Sequence, residues 1–483
     1  MTPATYTLAD LQAIDEQCQE HARLLGLVVP EVVYHYASAE RIYDIAARGL
    51  PGRYPHWRFG RGYEQQKHGY DHGHGRIYEL ILNTDPVQAY LLEGNSITAQ
   101  TLVIAHCLGH AHFFRQSRYF AATDRRILGR VRAASGRFEQ YARRYGRDEV
   151  EDFMDACQAL AFHQPLDQFV RTAAWREPQP ASSDPYDDLF PDETRATRAQ
   201  ADEDRDSQRA RFPHQPDPDL LGFLAQHAPR LEDWQRDLIT IAREEAAYFA
   251  PNLRTKILNE GFATLVHNKV VHGMQLDADA YIEFERLNAG VIQPHNGRIN
   301  PYNLGYALLG EVIRSHDEPT DDDRERHATI GTATGWERVL EIVECYDDAA
   351  LVSEFLTANV CQRCHLFAWQ REPGEPTRVS SREADDVRRA WLAEHVNQGF
   401  PRLEIVDADG YRQGALVIEH RHDGRGLDDE YTRGTLPYLA RMWGRRTLVR
   451  SVHTADDATT EDAWYACDPA DGSVERTADK PAA

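Results

Sequence analysis

The sequence predicts an α+β protein, with a predominantly helical main domain and a small C-terminal ββαβ module. Over most of the chain, apolar residues recur at steps of three and four, as in residues 8–25, which is the spacing of a one-sided helix. After residue 401 the pattern changes to two strand-like runs, 402–408 and 414–420, on either side of the turn sequence Asp409-Gly410. A chain of 483 residues, 42% of them hydrophobic, is long enough to bury the cores of such an architecture.

The main domain is predicted to consist mostly of helices, with two short strands near its start. In chain order, helices are expected at residues 8–25, 32–46, 98–114, 231–249, 259–271, 278–288, 301–314, 336–346 and 385–396, and strands at 77–83 and 90–92. Pro251 is expected to end the helix before it, because proline interrupts helical hydrogen bonding. In the C-terminal module, a helix at 428–443 and a closing strand at 447–452 complete the ββαβ order.

Composition divides the chain into five predicted segments. Residues 176–219 contain seven prolines, many charged residues and few large apolar ones, so burial there cannot offset the entropy of ordering the chain. The segments are 1–175 as the N-terminal part of the main domain, 176–219 as a disordered acidic and proline-rich insertion, 220–396 as its helical second part, 397–453 as the ββαβ module and 454–483 as a flexible tail.

The net charge and the N-terminal sequence argue against nucleic-acid-binding, secreted and membrane-spanning proteins. The formal net charge of −23 argues against a general nucleic-acid binder, and we interpret the arginine-rich stretch 125–144 as a solvated helix face. The first 20 residues contain no Lys or Arg, and no run approaches the roughly 20 apolar residues that cross a bilayer. We therefore expect a cytoplasmic protein with no membrane span and, with seven scattered cysteines, no disulfide framework.

The first candidate site is a pair of histidines on the helix predicted at 98–114. His106 and His110 are four residues apart, so both imidazoles can face one metal ion. In a zinc metalloprotease helix of this spacing, the residue after the first histidine is the glutamate that acts as general base, but here it is Cys107. The pair predicts a metal site with its base elsewhere, unless the histidines are merely packed in the core.

A second candidate segment places an acid and an imidazole on one helix face. Asn259 is predicted to cap the helix, so that Glu260, Thr264 and His267 share one face at i, i+4 and i+7. The string Asn-Glu-Gly-Phe-Ala looks like the segment that supplies the carboxylate zinc ligand in gluzincin aminopeptidases. It implies a gluzincin-like helical core in which Glu260 joins His106 and His110, with His267 as a fourth ligand or a partner of one.

A third segment supplies candidates for the missing base. Glu244 and Glu245 are adjacent, so at most one points into a site, and Glu244 shares a helix face with Tyr248. Glu244, or less favourably Glu245 or Glu93, could act as general base, with Tyr248 as a hydrogen-bond donor to a developing oxyanion. A charged, solvated helix face explains the same residues equally well.

Other motifs are less specific. The sequence Cys361-Gln-Arg-Cys364-His365 matches the c-type haem attachment string, but that chemistry requires export, and we interpret the match as a coincidence or a minor metal-binding pair. The cluster of His68, His72 and His74 lies among glycines that do not force the histidines together. The chain has no phosphate-binding loop, dinucleotide fingerprint or serine-nucleophile elbow.

Read in order, these strings resemble the SpoVR family, the stage V sporulation protein R group. The matching strings are 54–60 (YPHWRFG), 77–83 (IYELILN), 89–95 (AYLLEGN), 105–110 (AHCLGH), 243–249 (REEAAYF), 255–263 (TKILNEGFA), 300–305 (NPYNLG), 420–428 (HRHDGRGLD) and 439–444 (LARMWG). The resemblance covers most of residues 8–453. It implies a role in spore cortex formation or in stress response, and the 68–74 histidines and the 176–219 insertion depart from the family pattern.

Two hypotheses of function follow. In the first, His106, His110, Glu260 and His267 hold one divalent metal, and their ligand chemistry favours zinc. The metal then assists hydrolysis of an amide bond in a peptide or cell-wall precursor. In the second, the same residues form a buried polar network, and the protein is a regulatory scaffold for a serine-kinase-like partner or for cell-wall and spore-assembly factors.

Overall fold

The computed structural model describes residues 6–62, 79–165, 212–295, 298–370, 378–410, 413–454 and 460–481. The chain forms two compact units, residues 1–144 with 248–398 and residues 145–247 with 399–483. The described residues confirm a mostly helical α+β architecture. The cluster of His68, His72 and His74 and residues 176–211 of the predicted insertion lie outside the described residues.

Strands form three sheets in the described part of the chain. In chain order they are β1 Val32–Ala37, β2 Leu80–Leu82, β3 Val87–Leu92, β4 Ala368–Gln370, β5 Arg378–Ser381, β6 Leu403–Gly410, β7 Ala415–His420, β8 Thr447–Thr454, β9 Thr460–Cys467 and β10 Val474–Thr477. The sheet orders are β1-β3-β2, β4-β5 and β10-β9-β8-β7-β6.

Helices make up most of both units. In chain order they are α1 Leu8–Leu24, α2 Ala39–Arg48, α3 Ile97–Gln116, α4 Ile127–Tyr145, α5 Arg147–Leu160, α6 Leu220–His227, α7 Asp233–Arg254, α8 Lys256–Gly273, α9 Ala278–Val291, α10 Pro301–Asp317, α11 Asp321–Arg326, α12 Gly335–Cys345, α13 Asp348–Phe355, α14 Ala358–Arg363, α15 Ala384–His395 and α16 Asp429–Trp443. Among the helices of the described residues, none combines the length and apolarity needed to cross a bilayer.

The small sheet of the first unit brings distant parts of the chain together. Strand β1 pairs in parallel with β3, with Val32 opposite Val87, and β2 pairs antiparallel to β3. The helix predicted at residues 32–46 was therefore wrong in its first half, because the β-branched and aromatic residues that begin it pair with β3. This pairing fixes the start of β2, and with it Glu79, beside the helical core.

The core of the first unit is a stack of three helices in which α8 packs between α3 and α10. Helix α3 is buried along its length from Thr98 to Phe114, so its three histidines, His106, His110 and His112, lie inside the protein. At the crossing of α8 and α10, a Cβ on Gly305 would come within 2.7 Å of Gly261 Cα, nearer than real Cβ atoms approach. Glycine is required at this crossing because the two backbones touch.

The second unit contains the predicted ββαβ order, as β6, β7, α16 and β8, within a five-stranded mixed sheet that β9 and β10 extend. Strands β7 and β8 are parallel and joined through α16, while the other neighbouring strands are antiparallel. Strands β9 and β10 lie within residues 454–483, for which the sequence predicts a flexible tail. The physical reason is the run from Ala463 to Cys467, which is buried against the sheet and gives β9 enough apolar contact to order.

Candidate metal centre

Four side chains from three separate elements converge in the core of the first unit. His106 and His110 come from α3, Glu260 from α8, and Glu79 from the residue immediately before β2. Their ligand atoms all lie within 4.8 Å of one another. We call Glu79, His106, His110 and Glu260 the quartet. The other three members are 150 residues or more from Glu260 in sequence, and the packing of α3 on α8 brings the two histidines to it.

The distances inside the quartet match the edges of a metal-coordination polyhedron. His106 Nε2 lies 3.2 Å from Glu79 Oε2 and 3.8 Å from Glu260 Oε2. His110 Nε2 lies 3.4 Å from Glu260 Oε2 and 3.8 Å from Glu79 Oε1. Four nitrogen and oxygen ligands at roughly 2.0–2.1 Å around a tetrahedral Zn²⁺ are about 3.3 Å apart. The quartet therefore has the spacing that one small divalent ion requires.

Burial separates the two imidazoles from the two carboxylates. The histidine side chains are 2% and 3% exposed, and the glutamates 16% and 19%, so the carboxylates form the side of the quartet that faces solvent. His106 Nε2 and Glu260 Oε2 are buried and make no hydrogen bond. Buried polar atoms without hydrogen bonds are rare, and a metal ion between these two would satisfy both. The residues thus fit a divalent cation.

The far side of His110 is held by an amide. His110 Nδ1 lies 3.0 Å from Asn259 Oδ1, an oxygen that only accepts, so Nδ1 carries the proton and Nε2 presents a lone pair to the quartet. The predicted helix cap at Asn259 was wrong, because α8 begins one turn earlier at Lys256, with Thr255 at the N-cap position. Asn259 instead lies inside the helix, where its side chain orients His110.

The far side of His106 is held by His267. The Nδ1 atoms of His106 and His267 are 2.9 Å apart, and His267 Nε2 lies 3.0 Å from Asn288 Oδ1. Burial and the neighbouring His106 lower the pKa of His267 to about 3, so this imidazole is neutral. The structure places His267 behind His106, not among the four converging ligand atoms.

Electrostatics favour positive charge between the imidazoles and carboxylates. Burial alone would lower the pKa of both histidines, but the two glutamates outweigh it, raising the pKa of His106 and raising that of His110 to about 10. In turn, burial would raise the pKa of Glu79 and Glu260, but the imidazoles hold both below their usual range. The carboxylates are therefore ionised, and they stabilise protons or a metal cation at the two Nε2 atoms.

Sequence reasoning missed two members of this region. Glu79 lies in the string 77–83, which supported the family resemblance, and a lone carboxylate before a strand gave no further signal. Tyr302 begins α10 after the Asn300 cap, donates its hydroxyl to Glu79 Oε1 at 3.2 Å, and lies with its ring 5.9 Å from that of His106. Tyr302 thus orients the carboxylate of Glu79.

The three residues predicted as catalytic are divided between the two units. Glu244 and Glu245 belong to the second unit, and Glu245 is buried. Tyr248 belongs to the first unit, where it packs in a separate apolar cluster with Ile42 and Tyr90, and burial raises the pKa of its phenol. Their catalytic roles stay predictions.

The Cys361 and Cys364 thiols are both buried in the apolar core of the first unit. Burial raises the pKa of Cys361, and it raises that of Cys364 to about 12. Thiols with raised pKa values are weak nucleophiles and weak metal ligands at neutral pH. Their burial favours the interpretation of the haem-attachment string as a coincidence.

Comparisons with known proteins agree along nearly the whole chain. The model of the SpoVR like protein family matches residues 5–399, and that of the SpoVR-like C-terminal domain matches residues 401–454. An uncharacterized protein of Escherichia coli (strain K12), YcgB, is 28% identical over 433 residues, which cover 84% of this chain and 85% of that protein. No solved structure matches the chain.

Proposed function

The chain belongs to the SpoVR family, and we propose that this member is a metal-dependent hydrolase whose ion is bound within the quartet by His106, His110 and Glu260. The observation that supports the proposal is that two imidazole Nε2 atoms converge on two ionised carboxylates. The Nδ1 atom of each imidazole has its own hydrogen-bond partner, so that Nε2 is the nitrogen available to a metal. Two carboxylates balance the charge of one divalent cation, and mixed imidazole and carboxylate ligands at tetrahedral spacing suit zinc.

The division of roles within the quartet follows from the elements that contribute its members. His106, His110 and Glu260 are the predicted ligands, and they come from the packed helices α3 and α8. Glu79 comes from the residue before a short strand and accepts a hydrogen bond from the Tyr302 hydroxyl. We assign Glu79 as the general base, in place of the glutamate that a metalloprotease helix has where this chain has Cys107.

A bound divalent ion would act as a Lewis acid that polarises a substrate carbonyl. The Glu79 carboxylate, whose pKa is held low by the imidazoles against the opposing effect of burial, accepts the proton of the attacking water and delivers it to the leaving amine. The Tyr302 hydroxyl, which donates to Glu79 in the resting state, is placed to donate to oxygen as negative charge develops.

The substrate class is proposed from the family resemblance. A role in spore cortex formation or stress response points to an amide bond in a peptide or a cell-wall precursor, and metal-assisted hydrolysis with a carboxylate base is suited to that bond. The gluzincin-like ligand set, two histidines on one helix and a glutamate on the next packed helix, is proposed on the same basis. It requires α3 and α8 to be in contact, as they are.

Metal analysis of full-length protein purified without an affinity tag tests metal binding. We expect about one ion per chain in the wild type and almost none in the His106→Ala/His110→Ala variant. The matched control is His112→Gln, because His112 is a buried histidine of the same helix outside the quartet. Equal, near-zero metal in the wild type and the double variant would refute the proposal.

Separate variants test the role of the base. The Glu79→Gln variant keeps the size of the side chain and one amide oxygen but loses the basic carboxylate, so we expect metal to be retained while turnover falls by roughly 10²-fold or more. The readout is the release of amines from a muropeptide mixture, detected with an amine-reactive dye. Glu283→Gln is the control, because Glu283 is a glutamate of α9 outside the quartet. Unchanged amine release in Glu79→Gln would exclude this role.

One observation favours the regulatory scaffold as the second candidate. Opposite charges in the quartet already form ion pairs, with the pKa of His110 raised to about 10 by the carboxylates against the effect of burial, and such a network can order a core without catalysis. In that case the protein would act with a serine-kinase-like partner or with cell-wall and spore-assembly factors. Full function in vivo of a folded Glu79→Gln/Glu260→Gln variant would favour the scaffold.

A further inference from the structure

We propose that His267 and Asn288 are positioning residues that fix the tautomer of His106, so that its Nε2 lone pair is directed at the metal. The inference deepens the proposed function and rests on it. Neither residue has an atom among the four converging ligands, and both lie behind His106. We call His106, His267, Asn288 and Asn268 the relay.

The relay is fixed from its far end. Asn268 Nδ2 donates to the backbone carbonyl of Thr264 at 2.9 Å, which orients the Asn268 amide. Asn288 Nδ2 then donates to Asn268 Oδ1 at 2.8 Å, and Asn288 Oδ1 accepts from Asn268 Nδ2 at 3.2 Å. With both amides paired in this way, only the oxygen of Asn288 faces His267.

Each following step has one permitted proton position. His267 Nε2 must donate to Asn288 Oδ1 at 3.0 Å, because that oxygen only accepts. A neutral His267 then has a bare Nδ1, which accepts from His106 Nδ1 at 2.9 Å. The proton of a neutral His106 is therefore on Nδ1, and its Nε2 lone pair points at Glu79 and Glu260.

Burial makes the wrong tautomer costly. His267 is 0% exposed, and Asn268 and Asn288 are 5% and 6% exposed, so water does not replace a missing partner. If His267 carried its proton on Nδ1, its bare Nε2 would face Asn288 Oδ1, and these two buried acceptors would have no proton between them. A buried polar group left unpaired is destabilising, and hydrogen-bond partners of ligand histidines raise metal affinity by roughly 10–100-fold.

The relay ends in an amide and adds no charge to the site. A carboxylate at the position of Asn288 would accept the same hydrogen bond but would add a negative charge to a quartet that already has two. The two glutamates alone therefore set the charge that a bound cation must balance. An aspartate at position 288 keeps the acceptor that faces His267 and loses only the donor to Asn268 Oδ1, whereas a leucine of similar size removes both, so leucine should disturb the relay far more.

The test measures Co²⁺ affinity of the full-length, untagged protein by competition with a chromophoric chelator, together with the visible spectrum of the bound ion. We expect Asn288→Leu to weaken Co²⁺ binding by 10–100-fold, with Asn288→Asp within about threefold of the wild type. Asn83→Leu is the matched control, because Asn83 is a buried amide outside the relay. Wild-type affinity in Asn288→Leu would overturn the relay and leave the proposed metal site standing.

Two further outcomes keep the inference separable from folding and from the proposed function. Should Asn288→Leu fail to fold, ¹⁵N-histidine NMR of the wild type reads the tautomer of His267 directly: protonated Nε2 with bare Nδ1 is expected, and the reverse tautomer overturns the relay. Absence of Co²⁺ binding by the wild type would overturn the proposed function and the relay with it.

Discussion

A methyl group at Gly305 should force apart the two helices that contain Glu260 and Tyr302. A Cβ there would lie 2.7 Å from Gly261 Cα and closer still to the carbonyl oxygen of Ile257, whereas ordinary contacts begin at 3.4 Å. Helices α8 and α10 would therefore have to separate by at least about 0.7 Å. Since backbone atoms, not flexible side chains, are in the way, no change of rotamer relieves the contact.

The expected cost is at the upper end of overpacking penalties. Added methyl groups in packed cores destabilise by about 1–3 kcal/mol, and we expect about 3 kcal/mol for Gly305→Ala, measured by urea denaturation followed by circular dichroism. Gly310→Ala in the same helix is the control, because nothing lies within 4 Å of its Cβ and helix propensity should stabilise it by about 0.5–1 kcal/mol. Equal stability of the two variants would refute the reasoning.

Two further predictions concern pH and an ion pair. Burial lowers the pKa of His112 to about 4, and its Nδ1 atom accepts a hydrogen bond from the Val28 amide. The contribution of the neutral imidazole to the free energy of unfolding should therefore be fully present above pH 6.5 and fall by up to about 3 kcal/mol as the pH drops toward 4. Urea unfolding at several pH values measures this decrease, which should be smaller in His112→Gln. The Asp323 carboxylate accepts hydrogen bonds from the Arg314 guanidinium and from Thr320 in the capping box of α11. Asp323→Asn should therefore lower the free energy of unfolding by about 1–3 kcal/mol. An unchanged melting temperature would contradict this.

Helices and part of the site could be predicted because their signals are local. The stripes of apolar residues located α1, α3 and α8 to within a few residues. The four-residue spacing of His106 and His110 requires one helix face, whatever the rest of the fold does. Glu260 could be joined to them only by resemblance to another metal site.

Members of the site that depend on pairing between distant segments could not be found in this way. Glu79 reaches the quartet because β2 pairs with β3, and Tyr302 reaches Glu79 because α10 packs against α8. Neither a strand register nor a helix crossing is encoded within one short window. The same limit applies to β9. The sequence predicts a flexible tail there, and its apolar residues have a buried face only because β9 pairs with β8.

The division of the chain into interleaved units affects the order in which the site is assembled during synthesis. Residues 145–247 belong to the second unit, so the ribosome makes them between His110 and Glu260. At roughly 5–20 residues per second, the first three members of the quartet wait about 8–30 seconds for the fourth. Throughout that interval α3, with its long apolar surface, has no α8 to pack against, which makes the nascent chain a candidate client for chaperones.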